Sequence, residues 1–248
     1  MNLFAEALAW IFSPDRLVDN VPLPTLIVQH LYFTFLSVII AAVVAIPVGY
    51  LIGHTGRGRE LAVGLSGAAR AVPSFGLILL LVLVIGVTQK PLAASIAFVL
   101  LAIPSILAGA YAGLEQIDRR VIDSARSVGM TEWQVLWKVE IPLGLPLLIG
   151  GLRAATLQVV ATVTLAAYIG LGGLGLPIIE GLALRRFDQM LGAALVIVVL
   201  ALALDGLFAL LQHLVVPQGV AGSRSKNVRT TPTRRAAVMG TPIQEGKR

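Results

Sequence analysis

Five long stretches with almost no charge limit what this chain can become. Leu31–Ile52 and Leu92–Leu114 contain no Asp, Glu, Lys or Arg, and Leu61–Thr88 contains only Arg70. A fourth stretch begins near Pro146, carries Arg153 early, and runs uncharged through a glycine cluster to Ile179. Met190–Val216 is interrupted by Asp205 and, near its end, by His213. A hydrocarbon core of about 30 Å takes about 20 apolar helical residues to cross. A backbone in lipid must satisfy its own polar groups, which leaves helices as the form for such segments. The stretches therefore predict an all-α integral membrane protein with five transmembrane helices. Composition agrees: 57% of residues are hydrophobic and 13% charged, against about 25% charged in soluble domains. Leu3–Phe12 is too short to span and contains Glu6, so it reads as an interfacial helix rather than a cleavable signal peptide.

Charge divides the chain into an extracytoplasmic segment (1–24), a transmembrane domain (25–216, with a polar loop at about 115–142) and a basic tail (217–248). One side of the membrane receives Arg57, Arg59, Arg119, Arg120, Arg126, Lys138 and the tail; the other receives Arg16, Lys90, Arg185 and Arg186. The positive-inside bias predicts an outside N terminus and a cytoplasmic C terminus. The high pI comes from the Ser/Thr/Gly/Pro-containing tail, which reads as a disordered end able to touch anionic lipid, not as a nucleic-acid surface. Cysteine is absent and the histidines (His30, His54, His213) are widely separated, so no metal-ligand spacing and no catalytic constellation are visible. A P-loop is also missing, so ATP chemistry has to come from another polypeptide.

Interruptions within the apolar stretches mark further candidates. Pro73 disfavours helix at Val72 and predicts a kink or a fresh start there, with Arg70 near the cytoplasmic end. Arg153 and Asp205 are costly intramembrane charges that read either as structural partners or as contacts on a translocation path. In the loop, Val121, Ile122, Ala125 and Val128 recur at helical spacing, Gly129 supplies a stop, and Thr131 with Gln134 spells a capping box for a second helix up to Pro142. Basic and acidic residues balance in this unit, which disfavours a DNA-binding helix-turn-helix. A helix pair that docks in a groove of a cytoplasmic partner fits it better.

The run Asp123-Ser124-Ala125, then Gly129, Val139 and Ile141-Pro142, resembles the EAA loop of bacterial ATP-binding-cassette (ABC) importer permeases. Asp replaces the usual Glu and Ser the first Ala, with the spacing kept. The resemblance covers about residues 25–215 and implies a type I importer fold with a cytoplasmic coupling loop. It implies three partners besides membrane lipid: a cytoplasmic ABC ATPase dimer, a second permease copy (identical or paralogous), and an extracytoplasmic solute-binding protein. ATP would sit on the ATPase, with no cofactor and no nucleic acid on this chain. Asp123, Ser124, Ala125, Gly129, Ile141 and Pro142 would couple to the ATPase. Ala71-Val72-Pro73-Ser74-Phe75, Tyr111-Ala112-Gly113-Leu114 and the run Thr164–Gly175 narrow the resemblance to permeases for glycine betaine, choline, carnitine or proline betaine. Methionine or other amino-acid importers share the glycine run and are the alternative. An ion-coupled secondary carrier using Asp205 is the alternative of another class.

Pro73, Ser74 and Phe75, with Gly170, Gly172, Gly173 and Gly175, are candidates for a pathway or gate, against simple close packing. Gly170-x-Gly172-x-x-Gly175 also spells the dinucleotide fingerprint, but no strand-like alternation precedes it. Trimethylammonium groups are held by aromatic cages, whereas Trp10, Trp133 and Trp137 all lie outside the stretches. Selectivity is therefore expected in the binding protein. Small residues, including 25 glycines, are expected at the contact between permease copies.

Overall fold

The computed structural model describes residues 2–18 and 21–215; the predicted tail lies outside them. Eleven α-helices occur among the described residues: α1 (Leu3–Phe12), α2 (Asp15–Val18), α3 (Leu23–Thr55), α4 (Arg59–Ala71), α5 (Ser74–Ile85), α6 (Lys90–Glu115), α7 (Arg119–Ser127), α8 (Glu132–Val135), α9 (Ile141–Leu165), α10 (Leu176–Leu184) and α11 (Phe187–Val215). Four continuous helical runs are long and apolar enough to cross a membrane: Leu23–Thr55, Val87–Glu115, Glu132–Ile169 and Phe187–Val215.

The second apolar stretch is not a straight span. α4 and α5 meet at 88°, with Val72 extended (φ −72°, ψ 126°) as the residue before Pro73. The proline's ring excludes Val72 from the helical region, so the break falls where sterics demand it. With α5 only 12 residues long, about 18 Å by helix rise, neither half spans alone. The chain therefore has five spans only if the broken pair counts as one. Arg70, expected at the loop end, lies in the last turn of α4, three turns from that end.

The fourth span also differs from its expected limits. The helix runs from Glu132 through a π turn at Leu136–Glu140 into α9, rather than starting near Pro146. The wider π turn ends two residues before Pro142, whose missing N–H and ring oppose a regular α turn in the preceding residues. Its far end stops at Ile169, where Gly170 takes a left-handed cap (φ 77°), so the glycine run lies outside the helix rather than within it.

α6 is the centre of the bundle, flanked by α3 and α9. Ala94, Ala97, Phe98, Ala102 and Ile106 are buried there against Ala41 and Ala45 of α3 and Ala155, Val159 and Val163 of α9. Glycines set these distances within one chain. A Cβ on Gly113 would stand 2.6 Å from the Gly144 carbonyl, and one on Gly109 2.7 Å from the Leu147 carbonyl. A Cβ on Gly49 would stand 2.5 Å from the Ala110 side chain. In lipid, where apolar side chains gain nothing by leaving the solvent, such close backbone approach is what holds helices together. α1 docks on α11 through buried Trp10, with no room for a Cβ on Gly192. Val198, Val199, Leu202, Leu210 and Leu214 on α11 stay exposed, as an apolar solvent allows.

Candidate functional site

Two candidate regions sit at opposite ends of the bundle. At one end, α7 and α8 form a small unit with its own core of Ile122, Ala125 and Val135, covered by Ile117, Met130 and Val139. Asp118 caps α7, its Oδ1 accepting from Arg120 N–H at 2.9 Å. The helix ends in a Schellman turn: Gly129 N–H donates to the Arg126 carbonyl and Met130 N–H to the Ala125 carbonyl, with Gly129 at φ 85°. Thr131 and Gln134 make both bonds of the capping box that opens α8. Arg126 binds Glu132 with two hydrogen bonds, 2.8 and 2.9 Å, which clamp the two helices. That hydrogen bonding raises the Arg126 guanidinium above its ordinary range and holds the Glu132 carboxyl below its own.

The six expected coupling residues take different positions on this unit. Asp123 and Ser124 are exposed, Ala125 is buried, and Gly129 is the turn itself. Ile141 and Pro142 are half-buried at the base, where the loop continues into α9. Beside them Trp133 (68% exposed) and Trp137 (55%) stack edge to face at 5.6 Å, with Val128 exposed nearby in sequence. Exposed large apolar side chains of this kind are what partner contacts commonly bury.

A connection that sequence reasoning missed ties this unit to the first span. His54, in the last turn of α3, hydrogen-bonds through Nδ1 to Glu140 Oε2 at 2.6 Å. Glu140 is 3% exposed. The sequence signal was an acid lodged between Val139 and Ile141 at the mouth of an apolar run.

At the far end, the glycine run forms a compact loop between α9 and α10. Gly172 and Gly173 have φ of 88° and 73°, and a Cβ on Gly175 would collide with the Thr164 carbonyl and Ala167. Two side chains of α3 hold the loop. Gln29 Oε1 accepts from Gly173 N–H at 3.2 Å, and His30 Nδ1 accepts from Leu174 N–H at 3.4 Å. With Nδ1 accepting, Nε2 carries the proton and donates to the Val160 carbonyl at 3.0 Å. Gln29 and His30 were not singled out by sequence, although a polar pair at the edge of an apolar stretch marked them. Pro73 and Ser74 form the α4–α5 break, and Phe75 packs edge-on to Tyr168 at 5.4 Å, which brings the break beside the glycine run. No strand occurs among the described residues, and Gly173, Leu174 and Gly175 are buried, so the fingerprint spelling has no dinucleotide-binding context.

Between the two ends, Arg153 of α9 meets Asp205 of α11. Nε and Nη2 donate to Oδ1 and Oδ2, both at 2.5 Å, a two-point pair between helices. One further link joins the same helices: Gln212 Nε2 donates to the Pro146 carbonyl at 3.1 Å.

These features define a multi-pass membrane protein with an ordered helical loop at one end and a glycine loop at the other. Residues 45–218 match the family described as binding-protein-dependent transport system inner membrane component, and the chain belongs to that family. It is 35% identical to the osmoprotectant import permease protein OsmW of Salmonella typhimurium, over 82% of this chain and 97% of that protein. It is 34% identical to the carnitine transport permease protein OpuCB of Listeria monocytogenes, over 79% and 89%. With the glycine betaine/carnitine/choline transport system permease protein OpuCB of Bacillus subtilis the identity is 30%, over 79% and 89%. An inward-facing structure of the MetNI methionine ABC transporter has the same fold, with a TM-score of 0.68 at 22% identity, covering 76% of this chain and 94% of that one.

Proposed function

We propose that this chain is the membrane subunit of an ABC importer that carries quaternary-amine osmoprotectants such as glycine betaine, choline, carnitine or proline betaine into the cell. The α7–α8 unit carries this reading: an ordered loop, with Trp133, Trp137 and Val128 exposed at its surface, offers a grip to a cytoplasmic ATPase dimer. The named substrates of the OsmW- and OpuCB-type relatives support the cargo. A second permease copy completes the pathway, and an extracytoplasmic binding protein delivers the substrate. In this reading the glycine loop held by Gln29 and His30, at the end of the bundle away from α7–α8, faces that delivery. The methionine alternative gains only from the MetNI likeness, which concerns the fold.

Uptake by the reconstituted complex tests this reading. Combined with its ATPase, a second permease copy and the binding protein, the chain is expected to accumulate glycine betaine when ATP is supplied. Dissipating proton and sodium gradients should leave that uptake intact. ATP-driven uptake of methionine without betaine would overturn the substrate, and gradient-driven uptake by the isolated chain would overturn the importer.

The orientation belongs to the same proposal: N terminus outside, α7–α8 loop and C terminus in the cytoplasm. Since cysteine is absent, single cysteines can report it without background. Arg57→Cys or Gln116→Cys should react with an impermeant thiol reagent only after the membrane is opened, and Gln89→Cys or Arg186→Cys in intact cells. The opposite labelling pattern would reverse the topology.

A further inference from the structure

His54 lies where three elements meet, and nothing in the importer reading uses it. α3 ends one residue later at Thr55. Nδ1 of His54 donates to Glu140 at the end of the π turn at 2.6 Å, and Nε2 stands 3.6 Å from Glu132 Oε2 on α8. Glu132 is in turn bound by Arg126 of α7, whose Nη1 lies 3.7 Å from Asp123 Oδ1. Charged and polar side chains therefore form a continuous chain from the exposed Asp123 to the end of the first span. A carboxylate buried to 3% exposure needs a donor, because its lost hydration is not otherwise replaced. At 2.6 Å the bond is in the short range for a nitrogen donor on a carboxylate oxygen.

The opposite end of the same helix carries Gln29 and His30, which hold the glycine loop. α3 is one helix across that interval, continuous through Pro47. From His30 to His54 the helix rises roughly 36 Å. The α7–α8 unit is covalently continuous with α9, so its displacement reaches α9 directly. His54 adds a direct side-chain link from the unit to α3.

We infer that His54 is a positioning residue that latches the α7–α8 loop to α3 through the Glu140 carboxylate, so that movement of the loop is delivered along α3 to the glycine loop at the far end. This deepens the importer reading and rests on it. The latch accounts for a carboxylate at the apolar base of the loop, and for a polar pair at the start of the first span that grips backbone N–H groups. Both are costly features for a helix that only had to pack.

The test uses the complete reconstituted complex, with glycine betaine as the probe and transport per ATP hydrolysed as the readout. His54→Leu alone strands the buried carboxylate, so the informative variant is His54→Leu with Glu140→Leu, which removes donor and acceptor together. That double variant should assemble and keep its thermal midpoint and ATP hydrolysis, while transport per ATP falls roughly tenfold, within the usual range of a coupling effect. His54→Asn, whose side-chain amide places a donor near the Nδ1 position, should restore most of the ratio. A double variant with an unchanged ratio would overturn the latch, as would an asparagine variant no better than the leucine pair. The importer reading fails separately, if the unsubstituted complex shows no ATP-dependent uptake at all.

Discussion

Gly129→Val is expected to leave the protein inserted and assembled while uptake falls about tenfold at near-normal ATP hydrolysis. Gly129 has φ 85° and donates one of the two bonds of the Schellman turn between α7 and α8, its left-handed backbone placing Met130 N–H to donate the other. No atom lies within 4 Å of a Cβ built there, so the effect comes from backbone strain and not from a collision. A left-handed conformation costs an L-residue about 1–2 kcal/mol, and valine's branched Cβ places it at the upper end of that range. The unit keeps its core of Ile122, Ala125 and Val135, so the strain tilts the helices against each other rather than unfolding the bundle. Gly129→Asn is the control, because asparagine visits the left-handed region with less strain. It should retain most of the uptake. A well-expressed valine variant that transports normally would show that the loop is not the element through which the ATPase acts.

The second large effect is expected at the intramembrane pair. Asp205→Asn removes the carboxylate that Arg153 contacts with two hydrogen bonds at 2.5 Å. The guanidinium is then left without its counter-charge between two membrane helices. Folded, detergent-extractable protein should fall several-fold, and Arg153→Leu with Asp205→Leu should recover it, because an apolar pair strands no charge. What separates the readings is activity per folded molecule. An ATP-driven importer keeps its rate in the leucine pair, since the charges only hold α9 to α11. A carrier with Asp205 as its ion site loses ion-driven uptake completely. In the structure the carboxylate is engaged by arginine at both oxygens, which favours a structural pair over a site that must release its occupant.

How much could be read in advance varies with the range of the interaction. The capping box at Thr131 and Gln134, the stop at Gly129 and the break at Pro73 are local. Each depends on residues within about one helical turn, so the order of letters carries them. Span ends were less legible. Pro142 and Pro146 looked like a boundary, yet a π turn at Leu136–Glu140 lets one helix run from Glu132 to Ile169. The fourth stretch reads as running on to Ile179 through the glycine run, yet the helix stops at Ile169 and the run forms a loop whose N–H groups find acceptors on α3. Glycines expected between permease copies are already engaged inside this chain at Gly49, Gly109, Gly113 and Gly144. Tyr168, within the run Thr164–Gly175, meets Phe75 beside the break.

By itself, then, the order of residues determined that this chain enters a membrane as helices, because an apolar run of sufficient length has no other way to satisfy its backbone. It also determined where the partner-facing loop turns, because glycine and a capping box act over a few residues. Which side chains meet was decided only by tertiary structure. His54 finds Glu140 86 residues away, Arg153 finds Asp205 at a distance of 52, and His30 finds Leu174 at 144. Those pairings depend on how α3, α6 and α9 rotate and approach. That approach is set by glycine contacts between helices, whose partners no local pattern specifies.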